Sequence, residues 1–185
     1  MTIRSVMLGG ALVAGTVAGA WAHSGAEGVV KDRMDAMKAM QDAVKTITPM
    51  MSGQADYDAA AVREAADVIE ARAGKELTEL FPEGSIEGPS EALPAIWQDT
   101  ERFRTLAARL KTAAEGLGLA SENGQHGAGS MMGDQGGMMG GAQAADMPMA
   151  DAMDAEALGQ MPADGAFTMM TQVCSACHDR FREED

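Results

Sequence analysis

Helical periodicity constrains this chain more than any other feature of its sequence. Apolar residues recur at three- and four-residue steps in four stretches, and no stretch alternates apolar and polar residues as a half-buried strand would. Most of the connections between these stretches are short, which is typical of antiparallel neighbours. The sequence therefore predicts an all-α protein folded as an antiparallel four-helix bundle.

Capping and breaking residues predict where the helices begin and end. The first helix is expected to follow a capping box at residues 24–27 and to stop at Thr48, before Pro49. The second helix is expected to be capped by Asp56 or Asp58. The remaining expectations are a short helical piece over residues 75–81, a third helix carrying Ile96 to Ala113 that frays at Gly116-Leu117-Gly118, and a last helix over residues 163–183 that Pro162 shortens or kinks.

Two segments are expected to lie outside the bundle. Residues 1–22 carry one early cation, a short apolar run and a small-x-small end, which together predict a secretory signal peptide. The apolar run is too short for a membrane-spanning helix. We therefore expect residues 23–185 to be exported to a bacterial periplasm. Residues 124–150 are rich in Gly and Met without periodicity, which predicts a flexible insert between the third and fourth helices.

Composition and charge narrow the range of partners. The chain has 14 Lys+Arg against 28 Asp+Glu and a formal net charge of -14. Such a charge disfavours binding to nucleic acid and to anionic membrane surfaces, and favours a protein partner with a basic docking patch. Aromatic residues are only 4% of the chain, although there are 17 Met. Because few large rings are available to fill the core, we expect that a group other than an amino-acid side chain helps to fill it.

The motif Cys174-Ser175-Ala176-Cys177-His178 carries the most chemical information. A C-x-x-C pair serves in haem attachment, in redox disulfides or in zinc sites, and a following histidine favours haem attachment. Zinc would need two further ligands, whereas the other histidines are only His23 and His126 and no third cysteine exists. An ordinary or redox-active disulfide stays the alternative to haem.

The position of this motif near the C-terminus, on the final helix, makes the chain resemble the class II cytochromes c, that is, cytochrome c′ and its low-spin, methionine-ligated relatives. The other matching pieces are Phe81-Pro82-Glu83-Gly84, Ile96-Trp97 with Phe103, and Arg33-x-x-x-Met37. The resemblance implies one covalently bound haem c per chain. It implies attachment through Cys174 and Cys177, with His178 as the proximal axial ligand of the iron.

The same resemblance places residues of the first helix beside the haem. Arg33 would lie near the propionates, with a solvated surface position as its alternative. Met34 and Met37 would contact the cofactor. Met37 would be a distal axial ligand, a bystander that crowds the distal face, or simple core.

Three further side chains receive a role by comparison with the family. Arg182 would flank the proximal imidazole, or would be a surface cation that favours a helix C-terminus. Phe103 and Trp97 are expected in the core, where the Trp97 N–H needs an acceptor.

These expectations lead to two leading functions and a third of another class. If Met37 ligates, the six-coordinate iron suits electron transfer; if it does not, the open iron suits binding of nitric oxide or carbon monoxide. Copper handling by the Met-rich insert is the third hypothesis, with His126 close by in sequence and His23 as a candidate chelating residue at the amino terminus left by cleavage. No catalytic arrangement can be assembled, so we expect the protein not to be an enzyme. Family resemblance also suggests a homodimer.

Overall fold

The computed structural model describes residues 26–86, 90–126 and 154–183. The predicted signal peptide lies outside these ranges. So do most of the predicted insert, residues 127–150, and with them the methionines on which the copper hypothesis rests. Within the described ranges, no helix is both long enough and apolar enough to cross a membrane.

The described chain is helical, with four long α-helices, three short ones and a 3₁₀ turn over Ser121–Asn123. The helices are α1 (Gly28–Met51), α2 (Ala59–Glu70), α3 (Lys75–Thr78), α4 (Ala95–Gln98), α5 (Thr100–Ala120), α6 (Ala155–Gly159) and α7 (Ala163–Phe181). In this part of the chain, the β-structure consists of one isolated antiparallel bridge between Ala92 and Arg182. Helix α5 is central, since it packs against α2, α6 and α7, while α1 packs mainly against α2. The predicted all-α four-helix bundle is confirmed.

The core is built from aliphatic side chains and many alanines. Small buried residues allow the helices to approach closely, and the larger side chains fill the space between them. Its fully buried members include Ile47, Val62, Ala66, Ile69, Leu77, Ala114, Leu117, Ala120, Ala166 and Met170. Burying this apolar surface is the main favourable contribution to folding.

Helix α1 differs from the prediction at both ends. Glu27 occupies the N-cap position and makes no capping hydrogen bond through its side chain. At the other end the helix continues through Pro49 to Met51. Proline removes one backbone donor, but Pro49 lies in the last turn, and its carbonyl accepts bonds from the Gln54 and Ala55 N–H groups at 2.8 and 3.1 Å. The predicted stop at Thr48 was therefore wrong.

The later helices confirm some boundaries and correct others. Asp58, and not Asp56, caps α2 by accepting bonds from the Ala60 and Ala61 N–H groups. The third predicted helix is divided into α4 and α5 at Asp99. The expected fraying at residues 116–118 was wrong, because α5 continues to Ala120 and these residues are largely buried within it.

Helix α6 was not predicted, and it explains the role of Pro162. Asp154 caps this short helix by accepting a bond from the Ala157 N–H. Pro162 then takes the N-cap position of α7, where its missing N–H costs nothing. The last helix is therefore shortened at this end, as predicted, and it ends at Phe181 instead of residue 183.

Hydrogen bonds join residues 123–126, which follow α5, to residues 159–164, which end α6 and begin α7. The Gly124 carbonyl accepts from the Ala163 N–H at 2.8 Å. The Asn123 side-chain amide donates to the Gly159 and Met161 carbonyls, each at 2.7 Å. The His126 ring lies 2.9 Å from Asp164. We call this arrangement the junction; it places residues 124–126 against the start of α7.

Candidate functional site

Cys174 and Cys177 lie on α7 and face inward. They are one helical turn apart, so their side chains share a face of the helix. Both are half-buried and pack against the hydrophobic core, together with Val173 and Ala176. Both are free thiols, so the structure contains no disulfide between them. The pair is thus held at the inner surface of the bundle.

The surroundings keep both thiols protonated. Burial raises the pKa of Cys174. Burial, followed by the neighbouring Cys174, raises the pKa of Cys177 from 9.0 to about 11. A cysteine that attacks disulfides or binds zinc has a lowered pKa and works as a thiolate. The thiol pair in this structure lacks that property.

A zinc site finds no support in the ranges that the structure describes. Within residues 26–86, 90–126 and 154–183, no three His, Cys, Asp or Glu side chains converge as metal ligands. His126 lies at the junction, where its ring bonds to Asp164.

His178 follows the thiol pair in the last turn of α7, and its side chain is exposed. Partial desolvation by the neighbouring protein lowers the pKa of the His178 imidazole, and the positive charge of Arg182 lowers it further. The negative charges of Asp179 and Glu91 oppose this shift. Among the described residues, none hydrogen-bonds to its ring nitrogens. A neutral imidazole with a free nitrogen is the form that ligates a metal.

Met37 and Met34 occupy different positions on α1. Met37 is half-buried and packs against the same core as Cys174 and Cys177. Helix α1 also contacts α7 directly, so the helices that carry Met37 and the thiol pair are neighbours. Met34 is also half-buried but does not pack on that core. Their contacts with a cofactor stay predictions.

Arg33 is buried, with 4% of its surface exposed, so its alternative as a solvated surface residue was wrong. Its Nε and Nη2 groups donate to the Leu80 carbonyl at 3.1 and 2.8 Å. Nη1 donates to the Ser85 carbonyl and to Ser90 Oγ, and Nη2 donates to Ser85 Oγ. These bonds use all five guanidinium N–H donors. Arg33 therefore holds the loop that follows α3, and its predicted place beside the propionates is not tested.

Aromatic rings connect this loop to the end of α7. The Arg33 guanidinium lies 4.1 Å from the centre of the Phe81 ring. Phe81 meets Phe103 edge-on at 5.0 Å, and Phe103 meets Phe181 edge-on at 5.3 Å. The Trp97 ring nitrogen donates to the Phe81 carbonyl at 3.0 Å. Phe103 lies in the core, and Trp97 packs against it with the acceptor that its burial requires.

Sequence reasoning missed the contact between residues 91–93 and 181–183, which we call the clasp. The Leu93 N–H donates to the Phe181 carbonyl at 2.9 Å, and the Glu183 N–H donates to the Glu91 carbonyl at 2.8 Å. Arg182 Nε donates to Glu91 Oε2 at 2.6 Å. Arg182 thus lies in extended backbone just beyond α7 and in the clasp. Neither segment has a strand-like pattern, so the sequence held no signal for this pairing.

The geometry defines a helical bundle with a C-x-x-C-H motif on its last helix, the arrangement of a c-type haem protein. The family model described as Cytochrome C′ matches residues 28–142, more than half of the chain. The chain belongs to the cytochrome c′ family, and its cofactor is covalently bound haem c. The family match ends before the C-x-x-C-H motif, so the motif supports the assignment independently.

Individual relatives agree with this assignment. The chain is 36% identical over 116 residues to cytochrome c-556 of Agrobacterium fabrum, which covers 63% of this chain and 73% of that protein. It is 39% identical over 87 residues to cytochrome c′ of Rhodopseudomonas palustris, covering 46% of this chain and 59% of that protein. A solved structure of cytochrome c′ from Rhodopseudomonas palustris superposes with a TM-score of 0.60 at 25% identity, covering 86% of this chain and 99% of that one.

The described residues fit a covalently bound haem. Two protonated thiols one helical turn apart are free to form thioethers, and no described residue hydrogen-bonds to the adjacent imidazole. The surfaces around the thiols are apolar, as a porphyrin ring requires.

Proposed function

We propose that this protein transfers electrons in the bacterial periplasm through a haem c that Cys174 and Cys177 bind covalently and His178 ligates. The haem supplies the redox change, and the protein sets its position, its solvent access and its potential. On this proposal the chain is a carrier and not an enzyme.

The position of the two thiols carries the proposal. They lie on the inner face of α7 and pack on the core that Met37 also contacts. A group bound to them lies against the bundle interior, where burial limits the solvent rearrangement that accompanies a change of charge. The imidazole of His178 lies at the exposed end of the same helix. This side of the site is therefore accessible to a partner protein.

The mass and the absorption spectrum of the secreted protein test whether haem is covalently attached. The unsubstituted protein, secreted from a host that matures c-type cytochromes, should carry the mass of one porphyrin and absorb as haem c. Cys174→Ala with Cys177→Ala should abolish both properties. Ser175→Ala, inside the motif but at an exposed position, is the matched control and should keep them. An unsubstituted protein without added mass would overturn the proposal.

Binding of carbon monoxide tests whether Met37 ligates the iron, as the electron-transfer role requires. A six-coordinate iron with Met37 as the distal ligand should resist carbon monoxide, and the reduced spectrum should stay unchanged. Met37→Ala should then open the site and give a prompt Soret shift. A prompt shift in the unsubstituted protein would instead indicate an open iron, and gas binding would replace electron transfer as the function.

A further inference from the structure

Residues 90–93 connect the two helices of the proposed haem site. At one end, Arg33 Nη1 on α1 donates to Ser90 Oγ at 3.0 Å, and that oxygen also accepts from the Ala92 N–H at 3.4 Å. At the other end, residues 91–93 form the clasp with the residues that follow α7. This segment therefore ties α1 to the end of α7.

The clasp acts on the part of α7 that carries His178. Helix α7 ends at Phe181, within one turn of His178, and the Arg182 N–H closes that turn by donating to the His178 carbonyl at 3.1 Å. A helix end with few bonds frays easily. The backbone bonds of the clasp and the Glu91–Arg182 ion pair oppose fraying at this position.

Glu91 crosses the clasp with both its side chain and its backbone. Its carboxylate binds Arg182 Nε at 2.6 Å, and its carbonyl accepts the Glu183 N–H. The Glu91 and Arg182 side chains are each about half exposed in this pair. Such a pair contributes little to global stability, but it fixes the rotamer of Arg182 and the direction in which the chain leaves α7.

We propose that Glu91 is a positioning residue for His178: by holding Arg182 and the residues after α7, it fixes the orientation of the imidazole at the haem iron. The proposal rests on the proposed function, because it requires His178 to ligate. It goes beyond that function by assigning a role to a loop residue that is distant in sequence from the haem-binding motif.

The experiment compares three substitutions in the haem-loaded protein. Glu91→Ala removes both the ion pair and the charge. Glu91→Asp keeps the charge but shortens the reach by one methylene, so it breaks the pair. Glu83→Ala is the matched control, because Glu83 is exposed in the same loop and among the described residues its carboxylate has no ion-pair partner. Hydrogen exchange at the Arg182 and Glu183 amides reports order, and the reduction potential reports the iron ligation.

If Glu91 positions His178 through its ion pair with Arg182, Glu91→Ala and Glu91→Asp should behave alike. Both should speed exchange at these two amides by about three- to fivefold, the loss expected for one exposed ion pair. Both should shift the reduction potential by more than Glu83→Ala does. A purely structural clasp would change the exchange and leave the potential at its original value, which would overturn the proposal.

Two other outcomes would also overturn it. If Glu91→Ala shifts the potential and Glu91→Asp does not, Glu91 acts through its charge alone. If neither substitution changes either measurement, Glu91 has no role at the site. A failure of the proposed function is distinguishable from these results, because it would appear as a missing haem spectrum in the unsubstituted protein.

Discussion

At the scale of single residues, Arg33 shows how one buried cation can hold a loop that is distant in sequence. Its five N–H donors bind a loop 47 to 57 residues away, and its guanidinium also stacks on Phe81. The pattern Arg33-x-x-x-Met37 placed both residues on one helix face, and the structure agrees. The loop partners could not be predicted, because a sequence does not state which carbonyls a guanidinium will meet.

Replacing Arg33 by methionine should lower the free energy of unfolding by about 3 kcal/mol. The Leu80 and Ser85 carbonyls would lose their donors, and the loop would lose its attachment to α1. Urea unfolding followed by circular dichroism measures the change. Arg33→Lys should recover less than half of the loss, because one ammonium group cannot reproduce the guanidinium fork.

Arg104→Met is the control for this prediction. Arg104 is exposed on α5, so its replacement should change the free energy of unfolding by no more than about 0.5 kcal/mol. Equal effects of the two methionine substitutions would show that the five bonds of Arg33 contribute nothing.

The thiols give a prediction of pH dependence in the haem-free chain. Because the pKa of Cys177 is raised from 9.0 to about 11, alkylation by iodoacetamide should be slow at neutral pH and should accelerate toward pH 11. The raised pKa also means that the unfolded chain ionises first. The thiols therefore contribute stability below pH 9 that is lost as the pH rises toward 11. A reaction that is half-maximal near pH 7 would contradict the burial described above.

At the scale of helices, two glycines of α5 have opposite roles. A Cβ on Gly116 would lie 2.4 Å from Leu158 Cβ of α6, whereas a Cβ on Gly118 would meet Ala66 at an ordinary 3.6 Å. Gly116 therefore permits the close crossing of α5 and α6, and Gly118 is simply a weak helix former. The sequence suggested fraying for both, since glycine disfavours helices by itself, and tertiary packing overrode that tendency.

Alanine substitutions separate these roles. Gly116→Ala should destabilise the bundle by about 1–3 kcal/mol through overpacking. Gly118→Ala should stabilise it by about 0.5–1 kcal/mol, because alanine favours the helix. Thermal unfolding of the two variants measures both signs. Destabilisation by both substitutions to the same extent would contradict the packing of α6 on α5.

How much of the fold was predictable follows from the same helices. The long amphipathic segments were recognisable, because period and length are properties of local sequence. Helix α6 is too short to show a period. Helix α1 passes Pro49 although one backbone donor is lost there, because the turn that follows bonds back to the Pro49 carbonyl. The motif at residues 174–178 was readable for the same local reason, whereas the clasp depends on two segments that meet only after folding.

At the scale of the whole molecule, charge is unevenly distributed along the chain. Residues 112–179 contain no Lys or Arg, although the chain has 14 in total. Segments from this stretch form the junction end of the bundle, whereas Arg180 and Arg182 follow the thiol pair at the other end of α7. With a formal net charge of -14, the molecule as a whole attracts a basic partner.

Electron exchange with a basic protein partner should consequently fall as salt is added. Opposite charges steer association, and ions screen that attraction. Stopped-flow rates should drop by about tenfold between roughly 10 and 200 mM ionic strength, since the screening length shortens over this range. Exchange with an uncharged small oxidant is the control and should change little. A rate that rises with salt would show that like charges meet at the docking surface.

The junction has a practical consequence. Because the Gly124 carbonyl accepts a bond from the Ala163 N–H and the His126 ring lies against Asp164, the residues that follow α5 are held at the start of α7. Residues 174–178 lie near the opposite end of α7. Changes made at the junction should therefore leave the attachment of the cofactor intact, since about three turns of α7 separate the two regions.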